Sequence, residues 1–135
     1  MITLTPVASV ANGVQILYDI LGERKPREAI RHKAMPTYEA HIRFIESNPY
    51  KAWYLIHDAS MGWVGHINLS RDRKVGIFLF EKARGKGYGE VAIRRLAGLH
   101  PGVMYAEINP DNAPSIVFFK RLGGKLIQHT YEFVL

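Results

Sequence analysis

Apolar and polar residues alternate through residues 2–7 (Ile-Thr-Leu-Thr-Pro-Val), the two-residue period of a strand with one buried face. Over residues 11–24 the spacing changes. Val14, Leu17, Tyr18 and Leu21 recur at three- and four-residue steps, which predicts a helix. A basic stretch follows (Arg24, Lys25, Arg27, Arg31, His32, Lys33), and Thr37 then stands where it can cap a second helix carrying Tyr38, His41, Ile42 and Ile45 on one face. Asn48-Pro49 stops that helix, because the residue before a proline is pushed out of the helical region. Residues 52–57 and 62–70 are rich in strand-forming residues and are separated by the polar turn Asp58-Ala59-Ser60. Uninterrupted alternation in the second run puts Trp63, Gly65, Ile67 and Leu69 on one face and His66 and Asn68 on the other. After a turn at residues 71–74, residues 75–80 are apolar throughout, the mark of a strand covered on both faces, and the three runs read as a meander. Ala92, Ile93, Leu96 and Leu99 repeat at helical spacing, and residues 103–109 form a further strand. The helix after Asn112 has Pro114 in its first turn, where a missing N–H costs little, and Gly123 or Gly124 at its stop. Residues 131–135 close the pattern as an edge strand open to pairing with another subunit.

Composition narrows the class. A chain of 135 residues, 47% apolar and 22% charged, without repeats or a linker-like tract, is the size and make-up of one globular domain spanning 1–135. Asn12, Gln15 and Asp19 interrupt the most apolar stretch, and no basic residue opens the first twenty positions as in a secretory signal, so a soluble, cytoplasmic protein with no membrane partner is expected. The absence of cysteine excludes disulfides, thiolate catalysis, iron–sulfur clusters and cysteine-built zinc sites, and no metal site is expected. Eighteen Lys and Arg against 12 Asp and Glu give a formal charge of +6, which favours an anionic partner without choosing one.

The sharpest chemical signal is Arg84-Gly85-Lys86-Gly87-Tyr88-Gly89, between the buried strand and a helix. Glycines let successive backbone N–H groups turn toward a ligand, and the helix N-terminus adds unpaired donors and a positive dipole end, so this order suits a phosphate. The dinucleotide pattern would need glycine where Glu90 stands, and the Walker pattern would need Lys followed by Ser or Thr, whereas Lys86 precedes Gly87. A glycine-capped turn without a ligand is the plainer alternative.

Arg84, Gly87 and Gly89 match (Arg/Gln)-x-x-Gly-x-(Gly/Ala), and residues 112–124 (Asn-Ala-Pro-Ser-Ile-Val-Phe-Phe-Lys-Arg-Leu-Gly-Gly) resemble an Asn followed by a Ser/Ala-rich helix ending in Tyr-x-Lys-x-Gly-Phe. Both motifs, and the single helix and strand between them, resemble the GNAT superfamily of N-acetyltransferases. The resemblance implies an α/β (α+β) fold: a mixed, mostly antiparallel sheet flanked by helices and split into a V between residues 75–80 and 103–109. It implies acetyl-CoA as co-substrate in that split. The pantetheine would pair with the backbone of Ile77, Phe78 and Leu79. The diphosphate would meet the amides of Arg84, Gly85, Lys86, Gly87, Tyr88 and Gly89, and Asn112, Ser115 and Phe119 would flank the other edge.

The implied reaction is direct attack of an amine on the thioester. An alkyl amine of pKa about 10.4 is neutral in roughly one molecule in 10³ near pH 7.4, a handicap on the order of 4 kcal/mol that a base or a desolvating pocket must offset. Glu107, five residues before Asn112, occupies the place of the catalytic glutamate in relatives that acetylate ribosomal-protein N-termini, and burial near apolar walls would raise its basicity. The plainer reading of Glu107 is a strand-edge carboxylate in a structural ion pair. His66 is the second candidate base. Phe119 replaces the tyrosine that the family uses to protonate the leaving thiolate, leaving Tyr88, Tyr105 or water for that task, and Gly124 replaces an aromatic residue. A small-molecule amine is the favoured acceptor, with a protein N-terminus second and a homodimer open. Two other classes compete: a silent acyl-CoA-binding module, and a nucleic-acid binder using Arg24, Lys25, Arg27, Arg31 and Lys33 with Tyr18 and Tyr38.

Overall fold

A computed structural model describes residues 1–29 and 34–135. The chain runs β1 (Ile2–Pro6), α1 (Gly13–Gly22), α2 (Tyr38–Glu46), β2 (Ala52–Asp58), β3 (Gly62–Leu69), β4 (Val75–Leu79), α3 (Tyr88–Leu99) and α4 (Ala113–Arg121). The strands form one antiparallel sheet in the order β1-β2-β3-β4. Apolar side chains on its two faces build two clusters. Ile56, Val64, Ile67 and Leu69 pack with Ala92, Ile93 and Leu96 of α3, and Leu55 packs with Ile16, Leu17 and Ile20 of α1. Among the described residues no helix is long and apolar enough to cross a membrane.

Three predicted faces shift, each for a local reason. In β3 the register passes from Ile56↔Gly65 to His57↔Trp63, so Val64 is an extra, bulged residue. The bulge turns Trp63 to the α1 side with Trp53 and Phe78, whereas Val64 joins Ile67 and Leu69 against α3. In α1 the buried stripe is Gly13, Ile16, Leu17 and Ile20. Val14 and Tyr18 instead meet α2: the Val14 carbonyl lies 3.2 Å from His41 Nε2, and the Tyr18 ring packs edge-on to Tyr38. An apolar helix between a sheet and another helix uses more of its circumference than one stripe. Leu99, expected in the core, is exposed in the last turn of α3.

The caps follow the sequence. The Thr37 side chain accepts from the Ala40 N–H at the start of α2, and the Asn112 side chain accepts from the Ser115 N–H at the start of α4. At the other end of α4, Gly123 (φ 91°) and Gly124 donate to Lys120 and Phe119 carbonyls, a left-handed stop that only glycine adopts without strain.

Residues 103–109 do not form the expected ladder strand. They touch the sheet at one parallel bridge, where the Tyr105 N–H donates to the Arg73 carbonyl and the Val75 N–H donates to the Tyr105 carbonyl. Beyond it the two segments part, and the predicted V opens there. Residues 131–135 are not a strand either; the whole segment 125–135 has no regular structure and is exposed.

Candidate active site

The V is a cleft of about 280 Å³, with β4 on one side, Ala106 to Asn109 on the other, and α4 across it. Bonding alternates along a strand edge, so the Val75–Tyr105 bond turns the backbone groups of Ile77 and Leu79 toward the cleft and leaves those of Phe78 paired with β3. Of the three residues expected to offer backbone groups to a ligand, two are placed to do so. Phe78 also borders the cleft, with its ring stacked on His66.

The opposite wall is pinned by Asn109. Its side-chain N–H donates to the Ala29 carbonyl at 2.6 Å and its Oδ1 accepts from the Asp111 N–H, which ties the cleft to the segment between α1 and α2. Asn112 and Ser115 line the cleft beside the α4 cap, and Phe119 faces it with a ring that carries no acidic proton.

At the cleft's end, Gly85 (φ 74°) and Gly87 (φ 82°) take left-handed conformations, and Gly87 begins α3 without a side-chain cap, leaving the first-turn amides open to an anion. Gly89 serves a different purpose: a Cβ there would lie 3.2 Å from the Phe118 ring, so the missing side chain lets α4 close over α3. Arg84 donates to the Leu79 carbonyl and pairs with Glu28 at 3.1 Å, while Lys86 stays exposed.

Glu107 borders the cleft, but the expected burial is not found: its side chain is 43% exposed and pairs with Lys74 at 3.3 Å. Lys74 is accordingly held above its ordinary pKa, first by Glu107 and then by Asp72. His66 lies on the α1 side, stacked on Phe78, and Nδ1 accepts the Trp53 indole N–H at 3.2 Å. Indole only donates, so Nε2 carries the hydrogen, and His66 gains a proton only by surrendering that bond. Burial, with His41 as a second cause, pushes its pKa down to about 4. The Tyr105 side chain is exposed, and the Tyr88 hydroxyl bonds to Asp58. Neither phenol joins the cleft.

Glu28 and Asn109 were not among the sequence candidates. Glu28 sits in a stretch without periodicity, yet its carboxylate is nearly enclosed, bonding Arg84 and the Lys25 N–H. Asn109-Pro110-Asp111-Asn112 signals a turn, but nothing local reveals a side chain reaching a carbonyl 80 residues earlier. The nucleic-acid reading loses its stacking platform: Tyr18 and Tyr38 pack on one another, with the Tyr18 hydroxyl bonded to the Pro36 carbonyl. Arg31 and Lys33 lie outside the described residues.

A family model described as the acetyltransferase (GNAT) family matches residues 14–124. No curated protein matches. Among solved structures, an acetyltransferase from Thermus thermophilus superposes with a TM-score of 0.73 at 21% identity, covering 95% of this chain and 89% of its own. A domain from Methanocaldococcus jannaschii gives 0.73 at 18% identity, covering 98% and 93%. Spermidine N-acetyltransferase from Vibrio cholerae, in complex with CoA and spermine, gives 0.71 at 15% identity, covering 96% and 86%. At these identities the likeness establishes the fold, and the family match carries the rest.

The residues present suit acetyl-CoA. Uncapped amides follow two left-handed glycines, cations flank them at Arg84 and Lys86, and an apolar-walled cleft leads away past Ile77 and Leu79. The chain belongs to the acetyltransferase (GNAT) family, and it is an acyltransferase with acetyl-CoA as co-substrate.

Proposed function

We propose that the chain moves the acetyl group to a primary amine of a small molecule, by direct attack within a ternary complex. The observation that carries this reading is the cleft itself, with Ile77, Leu79 and the uncapped amides of α3 along one side and the half-exposed carboxylate of Glu107 at its border. The Glu107 carboxylate, solvent-accessible beside Lys74, can meet an approaching amine, and the structural neighbour bound to CoA and spermine supports an amine acceptor.

The thioester supplies an activated acetyl group; the chain's own residues bind, aim and move protons. Ile77, Leu79 and the amides from Arg84 to Gly89 hold the carrier, and Asn112, Ser115 and Phe119 bound its other edge. Glu107 takes the proton of the amine, its half-exposed carboxylate reachable through one water. Phe119 supplies no acid, so the leaving thiolate is protonated by water. By analogy with a thiol pKa of about 8.5, this step needs less help than the amine does.

Thiol release measured across a panel of primary amines tests the activity. Loss of a general base predicts that Glu107→Gln lowers kcat/KM by about 10²-fold or more, with CoA affinity by calorimetry retained. Unchanged turnover in the variant removes Glu107 from the mechanism, and no thiol release with any amine overturns the amine-acceptor reading.

A further inference from the structure

The two walls of the cleft come from separate parts of the chain, and among the described residues a single backbone bridge, at Tyr105, joins the wall at 103–109 to the sheet. Beyond it the walls part. A wall with so few backbone bonds to its neighbour opens readily unless something else fixes it. The segment between α1 and α2, residues 23–29, meets both walls.

On the β4 side, the Glu23 carboxylate accepts the Glu81 N–H at 2.7 Å, just past the strand. Glu28 then uses both of its carboxylate oxygens. Oε1 accepts the Lys25 N–H at 2.7 Å, which holds the single turn Pro26–Glu28, and Oε2 pairs with Arg84 at 3.1 Å. Arg84 is itself tied to the end of β4, donating from Nε to the Leu79 carbonyl. The next residue reaches the other wall. The Ala29 carbonyl accepts the Asn109 side-chain N–H at 2.6 Å, while Asn109 Oδ1 and the Asn109 carbonyl accept the N–H groups of Asp111 and Asn112. Glu28 and Ala29 are consecutive, about 3.8 Å apart at Cα, so a link one peptide long joins the walls. It is largely out of water: the Glu28 side chain is 9% exposed, Ala29 6% and Asn109 7%.

We propose that residues 23–29 are a strap across the cleft, with Glu28 and Asn109 as positioning residues that hold its walls at the spacing acetyl-CoA requires. Glu28 acts through Arg84, and Asn109 acts through Ala29. Walls held at a set width before the carrier arrives spare it the cost of ordering them. The pairing also gives the Arg84 side chain a task other than meeting the diphosphate. Its charge is matched by Glu28, which leaves the anion to the uncapped amides of α3 and to the exposed Lys86. The two ties act in series, so cutting either one releases the strap and cutting both adds little.

Calorimetry with CoA and hydrogen exchange of the full chain test this without any acceptor, so its failure is distinguishable from failure of the amine-acetylation reading. Glu28→Ala and Asn109→Ala are each expected to weaken CoA binding about tenfold, and the double variant by little more, because two parts of one link are not additive. A remote readout separates positioning from local damage. In Glu28→Ala the Asp111 and Asn112 amides, on the opposite wall, are expected to exchange faster, with the amides of β2 and β3 unchanged. Glu28→Gln keeps an acceptor for the Lys25 N–H and loses the charge; its affinity and exchange are expected to fall between wild type and Glu28→Ala, and they decide the matter if the alanine variant does not fold. Unchanged affinity, losses that multiply to about a hundredfold in the double variant, or unchanged exchange at Asp111 and Asn112 would each overturn the strap. Tighter CoA binding by Glu28→Ala would overturn it as well, by showing that Glu28 withholds Arg84 from the diphosphate.

Discussion

Burial governs what His66 can do. Held against Phe78 and bonded to the Trp53 indole, it is kept neutral, with its pKa pushed down to about 4 from an ordinary 6.5. A histidine whose folded pKa is depressed adds stability that is complete above about pH 6.5 and is lost as pH falls toward about 4, because the unfolded chain takes up the proton first. Thermal midpoints across that window should fall in the wild type and fall less in His66→Gln, whose side chain can still accept the Trp53 hydrogen bond; an unchanged slope would show that His66 is not the titrating group. At Gly87 the backbone is left-handed with open space around it, so a side chain meets no atom and acts through strain alone. That strain is about 1–2 kcal/mol. Gly87→Ala is therefore expected to weaken CoA binding roughly tenfold by calorimetry.

Helix α4 depends on its ends more than on its faces, since none of its side chains is fully buried. Asn112 supplies the N-terminal cap, and Asn112→Ala should cost about 1 kcal/mol in a denaturant melt. Because that cap stands on the cleft, CoA affinity should drop with it. A fully buried residue of α3 behaves differently. Leu96 packs between the helix and Ile67 and Leu69, and Leu96→Ala is expected to cost about 2–5 kcal/mol through the cavity it leaves. A loss below about 1 kcal/mol on the same melt would show that the α3 cluster is not tightly packed.

The whole molecule carries a formal charge of +6 and a cleft whose walls belong to separate parts of the chain: β4 on one side, residues 106–109 on the other, α4 across. A ligand bridging those walls binds the folded state and not the unfolded one. At a hundredfold excess over its dissociation constant, CoA should stabilise the fold by about 2.7 kcal/mol, visible as a raised thermal midpoint. Salt should shrink that gain, because cations flanking an anion are screened. A midpoint indifferent to CoA would contradict the assignment of the cleft.

Local chemistry was enough to place β1 to β4 and the helices, because periodicity and caps such as Thr37, Asn112 and Gly123 act within a few residues of chain. The glycine loop was legible for the same reason: positive φ at Gly85 and Gly87 is a property of the backbone itself. What lay beyond reach was anything set by a partner distant in sequence. The bulge at Val64 that redirects Trp63, the escape of residues 103–109 from the ladder after one bridge, the exposure of Glu107 beside Lys74, and the reach of Asn109 to Ala29 all depend on which segments meet in space. Local rules determine which groups are available; only tertiary packing decides which of them are desolvated, paired or left facing the cleft, because those energies belong to contacts between segments and not to the segments themselves.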